Sequence, residues 1–303
     1  MVGFARLNYR FIFSSLLRSL SFRYTSIVQN ADEAEQQHYY SQLPSSAVEA
    51  KPPTPSDPPW SLPVGIGVWV LSILAILLMP VFFVLPYYAL RGQSMPADLE
   101  KDPTVILLSL IAVVPAHLFT LAVCYPVVTK WHKFRFFETL GWRMGILRWW
   151  HLALILVGFF LVMQAVSSIF PETDNELLRI LRSSPTAAYS MAILATLFAP
   201  FVEELVYRGV LYSAFERSTG KIAAVAIVTL LFAGIHYPQY WGSPGSIIAI
   251  TLLSLILTAT RAVSGNLLPS VILHFLFNGL QSISIVYLTM NGGIDAPAAG
   301  FFH

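Results

Sequence analysis

Charge is what this chain has least of. Of its 303 residues, 18 are Lys or Arg and 16 are Asp or Glu, 11% in all, against roughly 25% in a soluble domain. An ordinary soluble globular fold is excluded. Cysteine is almost missing too: Cys124 stands alone, so no intrachain disulfide and no CxxC metal or redox pair can form. No ten-residue stretches alternate apolar and polar residues, which sets a transmembrane β-barrel aside. No basic stripe with interleaved aromatics points to nucleic acid, and a net charge of +2 says little about partners. An inverted internal repeat of the kind common in transporters is lacking as well.

What the chain does have is long apolar runs. Six stretches of 20 or more residues contain no Asp, Glu, Lys or Arg: 58–90, 103–129, 149–171, 183–202, 222–260 and 262–294. About 20 apolar residues span the hydrocarbon core as a helix, so each can cross a bilayer. The run 222–260 carries Pro238, Gly242, Pro244 and Gly245 at its middle, which a single helix would not tolerate, so it reads as two crossings. The expected fold is an all-α, polytopic membrane protein with about seven transmembrane helices in a bundle.

Four segments follow along the chain. Residues 1–62 form a basic arm and a polar linker. Arg6, Arg10, Arg18 and Arg23 lie in the first 30 residues, which hold no acidic residue, and Arg18 and Arg23 interrupt any secretory apolar core. The arm is expected to be flexible or to lie on anionic lipid. The linker, with Pro44, Pro52, Pro53, Pro55, Pro58 and Pro59, is expected to be disordered or polyproline-like. Residues 63–129 hold the first two crossings, 130–290 the remaining membrane core and 291–303 a tail. With the N-terminus inside, the inner segments (1–62, 129–150, 203–221 and 261–266) collect 14 of the 18 basic residues, the bias expected of cytoplasmic loops in a multi-pass protein of the cytoplasmic membrane. Lys130, Lys133, Arg135, Arg143 and Arg148 alternate with aromatic rings over 129–150, which suits a helix lying among lipid headgroups.

Ionisable groups at membrane depth are costly and usually pair or do work. The second run holds a lone histidine, His117, read as a hydrogen-bonded packing residue. The second half differs: Glu203-Glu204-xxx-Arg208, Phe232-xxx-His236 and His274-xxx-Asn278 follow one another on successive spans. Glu204 and Arg208, four apart, share a helix face and can neutralise each other, while Glu203 sits about 100° around the axis. Glu204 lies 16 residues before the turn at Gly220 and His236 lies 16 after it, so both sit about 24 Å from that turn and a Glu204–His236 pair is expected. His274 and Asn278 share a face of the last span, at a depth that agrees less well. Each group alone fits packing or helix–helix hydrogen bonding. Their concentration in four spans points to a site.

These motifs, in this order and with Pro200 before the glutamates and Gly209 after the arginine, resemble the type II CAAX prenyl endopeptidase and bacteriocin-processing (CPBP) family of intramembrane proteases, over about residues 130–290. The resemblance implies peptide-bond hydrolysis within the membrane on a membrane-associated peptide or protein. By motif, Glu203 would be the general base, assisted by His236. His274 and Asn278 would stabilise the oxyanion, with Glu204 and Arg208 in support. No cofactor is required in that reading. The family has also been read as zinc enzymes, and Glu203, His236 and His274 would then be the ligands. Against zinc stand the missing HExxH pair and Asn278, a poor ligand but a good oxyanion donor. Ser243 and Ser246 lack the rhomboid GxSG pattern, and Gly292-Gly293-Ile294-Asp295 is not GxGD. A non-enzymatic scaffold or bacteriocin-immunity-type binding protein of the same fold is the alternative. A proton-coupled transporter is a third reading, disfavoured by the absent repeat.

Overall fold

Every regular element in the structure, a computed structural model that describes residues 52–95, 98–171 and 173–292, is helical. The basic arm, the linker up to 51 and the tail from 293 lie outside the described residues. From Pro53 onward the chain forms one unit. Its helices are α1 (Leu62–Leu90, with one turn at 79–80), α2 (Pro103–Thr129), α3 (Phe136–Leu140), α4 (Trp149–Ile169), α5 (Glu176–Ser183), α6 (Pro185–Thr219), α7 (Lys221–His236), α8 (Pro244–Ser264) and α9 (Leu268–Met290). The protein is an integral, multi-pass, all-α membrane bundle.

The crossings number six among the described residues, not seven. Pro238, Gly242 and Pro244 do divide the long run as expected, but they leave only the 16 residues of α7 on one side. That is about 24 Å of helix, short of the roughly 30 Å hydrocarbon core.

Local chemistry sets the boundaries. Asp102 caps α2 by accepting from the Thr104 and Val105 N–H groups, with Pro103 at the first helical position. Ser184 caps α6 in the same way, accepting from Ala187 N–H, ahead of Pro185. The α8–α9 turn requires Gly265 at φ +66°, a left-handed conformation that costs most residues energy.

Two expectations fail outside the spans. Residues 130–148 do not lie down as a helix: only Phe136–Leu140 is helical, and Lys130, Trp131 and His132 all take positive φ. The reason is a close crossing that Gly141 and Gly145 make with the α8–α9 turn. At both, a Cβ would come within 3 Å of Asn266.

The end of the proline-rich stretch is not disordered either. Residues 53–61 lie against α6 and α8 because the bundle offers donors for their carbonyls. Arg261 donates to Pro55 O (2.8 Å), and Arg217 to Pro58 O and Trp60 O (2.7 Å each). The Trp60 ring is buried and its Nε1–H donates to Val210 O at 3.0 Å.

Candidate active site

The glutamates sit on a short α-helical stretch, Ala199–Glu204, between two π-helical segments of α6, Leu194–Phe198 and Leu205–Leu211. Pro200 helps to explain the first: it has no N–H to give the preceding turn, so the regular ladder cannot continue through it. Carbonyls within these wide turns bond to side chains of other elements. Asn278 Nδ2 donates to Ala195 O (2.8 Å), Arg261 Nε to Arg208 O (3.2 Å) and Trp60 to Val210 O. The glutamate turn is thereby tied to α9, α8 and the proline-rich strap at once.

The two glutamates have opposite surroundings. Glu204 is completely buried, and its Oε1 accepts from Arg208 Nη1 (2.8 Å) and His274 Nδ1 (3.0 Å). Arg208, also sealed from solvent, gives its other N–H groups to Ser254 O, Ser254 Oγ and Thr258 Oγ1. Its guanidinium lies over the Phe232 ring, 4.5 Å from the centroid. Such a pair is tolerable at membrane depth because each charge is neutralised and hydrogen-bonded. Glu203 keeps 26% of its side-chain surface, and its Oε2 stands 3.7 Å from His274 Nε2. One imidazole therefore lies between the two carboxylates, hydrogen-bonded to Glu204.

A cavity of about 490 Å³ brings the remaining candidates together. Glu203, His236, His274 and Asn278 all line it, while Glu204 and Arg208 stand behind its wall. Its other walls come from α1, α2, α4, α5 and α8 and are mostly apolar, with Asn175, Gln239 and Gln281 among the polar exceptions.

Sequence spacing paired the wrong histidine with Glu204. His236, placed at equal depth, turns its Nδ1 onto Phe232 O of its own helix (2.8 Å), and the bonded imidazole is His274. Depth along an axis does not fix rotation about it, and 3.6 residues per turn no longer applies through the Leu205–Leu211 π-turns. Arg208 and Arg261, counted among the inner-loop cations, are both buried within the bundle and drop out of that count. The residues that hold the site, Ser254, Thr258 and Arg261 on α8, were not singled out. Their only sequence signal is polar side chains spaced four and three apart in an apolar run.

The zinc reading can be tested on the donors. Among the described residues no three His, Cys, Asp or Glu side chains are grouped so as to hold a metal ion. The mechanism proposed for these residues is therefore written without a metal.

Residues 185–280 match the family described as type II CAAX prenyl endopeptidase Rce1-like. The matched stretch, under half of the chain, carries all three motifs and is similar to the family that those motifs resemble. Neither the curated proteins nor the solved structures contain a match to the chain.

Proposed function

We propose that the protein is an intramembrane endopeptidase that hydrolyses a peptide bond of a membrane-associated peptide or protein. The observation that carries the reading is the unequal environment of adjacent glutamates: one neutralised and sealed, the other free of Arg208 and open to the cavity. Two like groups held in unlike settings divide structural from chemical work.

Glu203 takes a proton from water as the water oxygen bonds to the scissile carbonyl carbon, with His236 assisting across the cavity. His274 and Asn278 donate toward the oxyanion that forms on the carbonyl oxygen. When the C–N bond breaks, the proton held by Glu203 passes to the leaving amine. Glu204 and Arg208 keep His274 in place. The apolar walls suit a substrate delivered from the bilayer, and prenylated peptides, which the family's name indicates, are the first to assay. We place the N-terminal side in the cytoplasm and the protein in the cytoplasmic membrane, on the excess of basic residues in the segments 1–62 and 129–150.

The test is cleavage of membrane-anchored and prenylated reporters by purified protein in detergent or nanodiscs, abolished in Glu203→Gln and His236→Ala. Wild type and both variants alike leaving every reporter whole, while capturing a membrane partner, would replace the enzyme with a binding protein. Chelator treatment is expected to leave the cleavage rate unchanged. Loss of activity that returns with added zinc would overturn the metal-free mechanism.

A further inference from the structure

His117 is the one Asp, Glu, Lys, Arg or His in the 27 residues of α2, and it lies outside the family match. It is only 7% exposed, and its Nδ1 has no hydrogen-bond partner. The packing role expected from the sequence would need such a partner, because a buried polar atom without one is costly and persists where something else requires it. Pro115, two residues earlier, removes a ladder bond from the middle of the helix.

The position of the ring indicates what that requirement is. Leu110, Val113, His117 and Thr120 make the stripe that α2 presents to the catalytic cavity. Val114, His117, Leu118 and Leu121 face a second, apolar cavity of about 500 Å³ on the other side. Only His117 and Val202 line both, so the imidazole stands in the partition. Val202 directly precedes Glu203, which lines the same cavity as the ring. The other titratable groups lining the catalytic cavity are Tyr207 on α6, His236 on α7, Tyr240 after it and His274 on α9; none comes from α1, α5 or α8.

We propose that His117 is a positioning residue for Glu203: across the cavity, and through water held there, it keeps the carboxylate oriented and ionised for proton abstraction. This rests on the protease reading, but it can be tested apart from it. In protein labelled at histidine nitrogens, the His117 ring signal is expected to shift its titration midpoint by at least half a pH unit on Glu203→Gln. An unmoved midpoint overturns the proposal whether or not any substrate is cleaved. In the cleavage assay, His117→Leu is expected to lower kcat at least tenfold with KM changed less than threefold. The acid limb of its kcat/KM profile should also move, and His117→Gln should recover part of the loss. Folding is expected to survive, since the leucine removes an unpartnered atom. A His117→Leu enzyme with wild-type kcat and pH profile refutes the role. If His117→Leu yields no folded protein, His117→Gln and the titration decide in its place.

Discussion

Helices α4 and α6 both cross the membrane, yet they are built on opposite plans. In α4 only Leu152, Phe159 and Met163 are fully buried; Ile155, Leu156, Phe160 and Val166 are partly buried against the core, and the other apolar side chains face outward. In α6 every residue from 204 to 214 is buried, although α6 is the less apolar of the two. In water the more apolar helix would be the inner one. In a bilayer lipid tails are as apolar as leucine, so burial is driven by packing and by polar groups that need partners. The ionisable groups Glu203, Glu204 and Arg208 therefore collect on the helix with the weaker hydropathy signal.

Substitutions on the two helices can break this contrast or sharpen it. The largest effect belongs to Glu203→Gln. It is expected to lower the cleavage rate about 10²–10⁴-fold, the range for losing a general base, with the thermal midpoint in detergent little changed because Glu203 is not part of the sealed pair. A comparable loss of folded protein would mean that both glutamates are structural.

Next comes Arg208→Ala, which leaves Glu204 buried without its counter-charge. The expected cost is about 3–5 kcal/mol of stability, read as a lower midpoint and folded yield together with lost activity. A normally folded, fully active Arg208→Ala protein would refute the assignment of Arg208 as the neutralising partner.

The glycines give the most direct comparison. A Cβ at Gly209 of α6 would meet Leu140 Cδ2 at 3.1 Å and the Leu205 and Leu267 side chains at 3.4 Å. Gly209→Ala is therefore expected to cost about 1–3 kcal/mol by overpacking. At Gly158 of α4 nothing lies within 4 Å, and Gly158→Ala should be neutral or stabilising by up to about 1 kcal/mol, since alanine is the better helix former. Thermal unfolding of both in one detergent checks the pair. Equal responses would mean that α4 is packed as closely as α6.

Much of the site could be read before any coordinates. Glu203, His236, His274 and Asn278 stand out because ionisable and amide side chains are expensive in apolar runs, and all four line one cavity. The Glu204–Arg208 pair follows from four-residue spacing alone. The histidine partner did not follow, because π-turns alter the angular register between Glu204 and everything after it. Arg261 illustrates a further limit: its bonds reach Arg208 O and Pro55 O, the latter 206 residues away. A charge between two apolar runs looks like a loop residue until the bundle closes over it.

The sequence by itself determined that the chain is a helical membrane protein, where most of its long helices turn, and which few side chains are candidates for chemistry. Those properties are local: run length, proline and glycine position, and the cost of each polar group in hydrocarbon. Only the tertiary structure decided which glutamate is sealed, which imidazole bonds it, that the strap 53–61 docks on the bundle, and that His117 stands between two cavities. Each of those depends on the rotation and separation of helices far apart in the chain, and spacing along one segment carries no information about either.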